Sequence, residues 1–232
     1  MKQRTDNIAL IRELAASEDG VFTSALAQSY GISKHALSHA AKTGLIERIA
    51  HGAYRMSSSM DDGFDSLRGL YKLTSPSKWT HERIRDFDGI AVTGATAMHM
   101  HGIGDLQSSP YVMAVPKRYN SRNSGIHYAV IALQSEDVAW SFGIPVTTLE
   151  TTLANLITTH EDPSLVADCF IDAVRKYGST TFNANTLRQK IGDQLYETLM
   201  KDAADALSEG HRIIPIDDEG HLAIVDEKAV RP

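Results

Sequence analysis

Apolar residues recur at Ile8, Ile11, Leu14 and Ala15, three or four positions apart, which predicts a helix over residues 6–17. Thr5 or Asp6 stands where a start cap belongs, and Ser17-Glu18-Asp19-Gly20 ends the run on a glycine suited to left-handed backbone. Thr23 is placed to cap a second short helix carrying Leu26 and Ala27, and Gly31 breaks it. Ser33 caps a third, which runs to about Thr43 before Gly44 closes it. Two short helices across a glycine-containing turn form the core of a helix-turn-helix. Two β-prone runs follow, Leu45–Ala50 and Ala53–Met56, separated by His51-Gly52. A two-residue turn ending in glycine predicts a hairpin, the wing of a winged helix-turn-helix.

Beyond this the pattern loosens. Ser57 to Gly63 is small, polar and acidic, as in a linker. Phe64, Leu67, Leu70, Tyr71 and Leu73 suggest a helix, and Trp79 to Phe87 reads as a further helix or an irregular segment. From Asp88 a second domain begins, with a short apolar run at Ile90-Ala91-Val92 and a helical stretch from Thr93 to His101, stopped by Gly102. Strands are expected at Tyr111–Val115, Ile126–Leu133 and Val138–Phe142, with Lys117–Gly125 as a polar loop. Helices are expected at Thr148–Thr159 and Ser164–Tyr177, and along Leu187, Ile191, Leu195 and Leu199. A terminal hairpin is expected from Ile213–Ile216 and Leu222–Val225. The fold class is therefore α+β. A winged helix-turn-helix occupies residues 1–57, a linker with connecting helices 58–87, and a mixed α/β domain 88–232.

Charge sharpens this division. The whole chain carries -6, which argues against a wholly basic nucleic-acid binder. Residues 1–60 nevertheless hold seven Lys/Arg against five Asp/Glu, whereas residues 151–232 hold eight against fourteen. A basic head and an acidic rear imply separate duties, and attraction to phosphate needs only a local positive face. No apolar run approaches the roughly 20 residues that span a bilayer, and the start lacks the apolar core of a signal peptide. Cys169 is the only cysteine, so no internal disulfide can form. A cytoplasmic protein is the simple expectation.

On a helical wheel of residues 33–43, Leu37, Ala40 and Ala41 fall toward the core, with Leu45 following. Lys34, His35, Ser38, His39 and Lys42 fall on the other side. With the capping Ser33, these are hydrogen-bonding or cationic groups suited to base edges and phosphates in a major groove. On the wing, a turn at His51-Gly52 pairs Ala50 with Ala53, Ile49 with Tyr54, and Arg48 with Arg55. Like charges directly opposite repel, and a phosphate between the two arginines would relieve the strain. The alternative is a pair of arginines splayed into water near a glutamate. The expected DNA contacts are thus Ser33, Lys34, His35, Ser38, His39, Lys42, Arg48, His51 and Arg55. Lys117, Arg118 and Arg122 on the polar loop offer secondary phosphate or partner contacts, or are simply solvated.

Three ordered stretches resemble AbiEi-type antitoxins. The first joins Gly20-Val21-Phe22-Thr23, Tyr30-Gly31-Ile32-Ser33 and the segment from Gly44 to Tyr54. The second runs from Ile90 to Ile103 and ends in His101-Gly102-Ile103. The third is Gly143-Ile144-Pro145-Val146-Thr147-Thr148 and the helix after it, with Leu149 where the family commonly has proline. The resemblance covers roughly residues 8–178, and the last fifty residues carry no signature of the family. It implies a winged helix that represses its own operon, on inverted or direct repeats occupied by two protomers. It also implies a C-terminal domain that counters a cognate nucleotidyltransferase toxin, with or without a stable complex. The alternative is a stand-alone DNA-binding regulator with a protein-interaction domain and no toxin partner.

An enzyme is the rival class. His99 and His101 stand two apart, which on a helix points them about 200° apart, whereas metal-binding helices use a spacing of four. Either histidine is better read as a packed or capping residue. Cys169 lies on an apolar helix face, as a small hydrophobe does. There is no G-x-S-x-G, P-loop or G-x-G-x-x-G. The expectation is no catalytic residue, no metal and no cofactor.

Overall fold

The computed structural model describes residues 2–121 and 123–226, with side chains from residue 7 onward. The fold is mixed α and β, and the chain divides into two compact units. The first is Met1–Ile90 with Trp140–Ile144, and the second is Ala91–Ala139 with Pro145–Pro232.

The first unit opens with α1 (Lys2–Ser17), β1 (Val21–Thr23), α2 (Ser24–Ser29) and α3 (Lys34–Lys42). The hairpin β2 (Ile46–Ala50) and β3 (Ala53–Met56) follows. The strands form an antiparallel sheet in the order β1-β3-β2. Ile11, Leu14, Phe22, Leu26, Ile32, Leu37 and Ile46 are almost wholly buried and make the core between helices and sheet. β1 escaped the pattern reading because three residues are too few to show alternation; its pairing of Val21 with Arg55 and Thr23 with Ala53 is what defines it.

Residues 58–87 fall within the first unit. They carry α4 (Asp65–Leu73) and α5 (Thr80–Arg85), and both belong to the first unit. α4 packs on all three strands of the small sheet and buries Leu67, Leu70 and Tyr71. It also buries charge, and each buried charge is partnered, as a low-dielectric interior requires. Lys72 Nζ donates to Glu18 Oε2 at 2.5 Å and to Thr80 Oγ1 at 2.7 Å. Arg68 pairs with Asp62 and Asp65 and donates from Nε to the Phe142 carbonyl. Arg83 lies over the Tyr71 ring, 3.6 Å from its centroid, and pairs with Asp88.

The second unit contains β4 (Ala91–Val92), α6 (Gly94–His101), β5 (Tyr111–Val115) and β6 (Ile126–Val130). A 3-10 turn at Ser135–Asp137 leads into β7 (Val138–Ser141) and β8 (Ile144–Thr147), of which Trp140–Ile144 count with the first unit. Then come α7 (Leu149–Thr158), α8 (Pro163–Tyr177), α9 (Ala184–Ile191), α10 (Asp193–Ala206), and the hairpin β9 (His211–Pro215) and β10 (Leu222–Asp226). Strands β4 to β8 form a mixed sheet in the order β6-β5-β4-β8-β7. The core gathers Met98, Leu153, Phe170, Val174, Phe182, Leu187 and Leu199. The single helix expected along Leu187 to Leu199 is two helices. Gly192, at φ +82, turns the chain between them, so Leu195 falls on an exposed face while Leu187 and Leu199 are buried.

Candidate nucleic-acid interface

Local chemistry shapes the helix pair of the first unit. Thr23 Oγ1 accepts from the Leu26 amide and starts α2. α2 ends in a Schellman turn, with the Ile32 amide donating to the Ala27 carbonyl and the Gly31 amide to that of Gln28. The turn needs left-handed backbone at Gly31, and φ there is +90. Ser33 Oγ then accepts from the Ala36 amide and starts α3. α3 closes the same way: Leu45 donates to Ala40, Gly44 to Ala41, and φ at Gly44 is +73.

α3 is sharply two-sided. Ala36, Leu37 and Ala40 are buried, whereas Lys34, His35, Ser38, His39 and Lys42 are exposed. At 100° per residue, Ser38, Lys42 and His35 lie near the centre of the exposed face. His35 and His39 border a cleft of about 430 Å³ against α1, floored by Ile8, Ile11, Ala36, Ala40 and Leu45. Ser33 is exposed, but its hydroxyl is already engaged as the cap of α3. Its contribution to a ligand is therefore indirect: it fixes where α3 begins.

The wing differs from its expected register. Ala50 pairs with Ala53, but the register shifts by one residue between Arg48 and Ala50. The extra residue is Ile49, whose side chain packs toward α4. A Cβ built on Gly69 would meet Ile49 Cδ1 at 2.8 Å, so a larger residue there would have to displace the tip of Ile49. The shift sets Arg48 opposite Tyr54 and Glu47 opposite Arg55. The opposed arginine pair therefore does not exist. Arg55 Nε donates to Glu47 Oε2 at 2.9 Å, and its Nη1 lies 3.0 Å from Asp65 Oδ2 and 3.7 Å from Asp61 Oδ2. The hydrogen bonds from Arg55 to Glu47 and Asp65 hold its pKa above the ordinary value. The Arg55 guanidinium is thus held within the fold by carboxylates on β2 and at the start of α4.

Arg48 is exposed, and its Nη2 lies 2.7 Å from His51 Nδ1 at the tip of the wing. Because arginine only donates, this bond requires an unprotonated Nδ1 on His51. Lys34, Lys42 and Arg48 are thus exposed cations on the helix and wing, with His35, His39 and His51 among them. Lys117 and Arg118 are exposed in the second unit, in the loop after β5. Arg122 lies outside the described residues.

His101 is on a helix with His99, and its Nε2 lies 2.8 Å from the Thr147 carbonyl, the bond of a packed imidazole. Burial holds its pKa below the ordinary value. Cys169 is fully buried, and burial, with the nearby Asp172, Asp168 and Asp105, pushes its thiol up to about 12. Ligand atoms of Asp217, Glu219 and His221 lie within 4.8 Å of one another. Asp217 already accepts from the amides of Glu219, Gly220 and His221 and from the His221 ring, so the cluster closes the β9–β10 turn. No helix of the described residues is long and apolar enough to cross a membrane.

Three helices, a strand between the first two, and a hairpin that completes the sheet make the first unit a winged helix-turn-helix. Residues 9–57 match the model of a family described as "Transcriptional regulator, AbiEi antitoxin". The family resemblance read from the sequence therefore stands over the winged helix, and that family is described as a regulator. No curated protein matches the chain. Among solved structures, the chain is similar to the RV2827C protein from Mycobacterium tuberculosis. The TM-score is 0.51 at 15% identity, over 86% of this chain and 80% of that one. At that identity the likeness is one of fold.

Proposed function

We propose that this chain is an antitoxin and autoregulatory repressor that binds duplex DNA upstream of its own gene. The exposed face of α3 carries the reading. It presents Lys34, His35, Ser38, His39 and Lys42 with no carboxylate among them, on a rigid helix fixed by a cap at each end. Lys34 and Lys42 neutralise phosphates, Ser38, His35 and His39 address base edges in the major groove, and Arg48 and His51 reach the flanking backbone from the wing. Arg55 has no part in this; it sets the wing's shape. Two protomers on repeated half-sites are expected, as helix-turn-helix proteins commonly bind. Lys117 and Arg118 supply secondary contacts to phosphate or to a protein partner.

The antitoxin role rests on the match of residues 9–57 to the AbiEi model. The second unit then counters a cognate nucleotidyltransferase toxin. The alternative is favoured by one observation: the match ends with the winged helix, which leaves a stand-alone regulator with a differently employed second unit. Two experiments separate these. Footprinting on the upstream DNA should show a protected repeat for either reading. Co-expression with an adjacent toxin gene should restore growth for the antitoxin only.

A further inference from the structure

The second unit carries an apolar groove with an acidic rim, and the geometry points to its occupant: a cationic amphipathic helix of a partner protein. This goes beyond the DNA-binding reading and stands without it. The groove runs between the end of α7, the start of α8 and the outer face of α10, with a volume of about 340 Å³. Ile157, Val166, Leu195 and Leu199 line it. Val166 and Leu199 are buried, but Leu195 is 43% exposed. Ile157, Val166, Leu195 and Leu199 form one contiguous apolar lining, and it is that contiguity in a preformed hollow, not one exposed leucine, that marks an interaction site.

The rim selects the partner. Glu161 and Asp202 edge the groove, and neither has an ion pair among the described residues. Further along α8 and α10, a second hollow of about 330 Å³ is edged by Asp105, Asp168 and Asp172, with Leu165 37% exposed in its wall. Its cation, Arg175, is already paired with Asp172. An apolar floor under Glu161 and Asp202, which have no ion pair among the described residues, favours leucine-sized anchors flanked by lysine or arginine. α10 has 14 residues, so a helix of about 20 Å fits along it. Charge argues against a second copy of this chain. The described exposed leucines lie on helices α8 and α10, whose own carboxylates would be brought face to face. α3, the cationic helix, has its apolar side buried in its own unit.

The test uses the full chain and a fluorescein-labelled 14-residue peptide of leucine and lysine with leucines at helical spacing. One control replaces its leucines by serine, and the other its lysines by glutamate. Anisotropy titrations should show the leucine–lysine peptide binding at least tenfold tighter than either control. Glu161→Lys with Asp202→Lys should weaken it at least tenfold, Leu195→Ser comparably, and Lys34→Glu with Lys42→Glu not at all. Denaturation midpoints of each variant accompany the titrations; Leu195, Glu161 and Asp202 are open enough to change without loss of fold. Equal binding of the serine control, or binding indifferent to both groove variants, would overturn the proposal. So would self-association that Leu195→Ser abolishes, which would make the groove's occupant a second copy.

Discussion

Arg55 donates from Nε to Glu47 Oε2 at 2.9 Å across the β2–β3 hairpin. The same guanidinium reaches Asp65 at the start of α4, so a single side chain ties the wing to the helix packed behind it. That leaves Arg48 as the wing's outward cation, and it divides the two arginines by role.

The division is measurable. Arg48→Ala should weaken DNA binding and reduce the log–log salt slope by about 0.9, the share of one phosphate. Arg55→Ala should leave the slope unchanged and instead lower the unfolding midpoint. Salt-titrated anisotropy and urea denaturation of both variants make the comparison.

The Lys72–Glu18 pair is buried with Thr80 between α1 and α4. Burial holds the Lys72 pKa below its ordinary value, against the pull of Glu18. Lys72→Met should destabilise the chain by about 3 kcal/mol, because it leaves a buried carboxylate without its cation. Adding Glu18→Gln should recover a large part of that loss, since breaking a buried pair is worse than removing it. A double-mutant cycle in urea gives the coupling.

His101 makes the second unit sensitive to acid. Its folded pKa lies below the ordinary value of 6.5, with burial as the main cause. The unfolded chain therefore takes up a proton first as pH falls. The stability is fully present above the unfolded value and is lost as pH drops below it toward the folded one. The His221–Asp217 pair has the opposite sign, because Asp217 raises the His221 pKa. Its contribution is present below the unfolded value and fades as pH rises through the folded one. Comparing wild type with His101→Gln at pH 7.5 and 5.5 isolates the first effect: wild type should lose more stability than the variant.

Gly44 closes α3 at φ +73, and nothing lies within 4 Å of a Cβ built there. Gly44→Ala should therefore destabilise by about 1 kcal/mol through backbone strain alone. A much larger loss in urea denaturation would mean that the turn is also packed.

The elements of the winged helix were legible because each is bounded locally. Thr23, Gly31, Ser33, Gly44 and Gly52 stand at fixed offsets from apolar runs, and caps and turns depend on near neighbours. The wing's register was not legible, because it depends on residues far apart in sequence. Ile49, the residue outside the ladder, lies over Gly69, twenty positions on, and Arg55 is engaged by carboxylates on β2, α4 and the segment between. The strand Ile144–Thr147 is hidden from a local reading for a similar reason. Pro145 argues locally against a strand, and pairing of Val146 with Val92 outweighs it. At Gly192 the i, i+4 pattern continued through a turn, and only the buried Leu199 and exposed Leu195 show the break. The exposed face of α3 came from periodicity alone, but its partner is a matter of chemistry and not of pattern.

If α3 and the wing grip duplex DNA as proposed, the protein should bind its own upstream DNA through the cations of both elements. The most direct measurement is an anisotropy titration of the full chain on its own upstream DNA, with scrambled competitor and a salt series, beside a Lys34/Lys42/Arg48→Glu variant. Preferential, salt-sensitive binding is expected, which the variant loses while keeping its unfolding midpoint. Binding without preference over scrambled DNA, or binding that a folded variant retains, would contradict it.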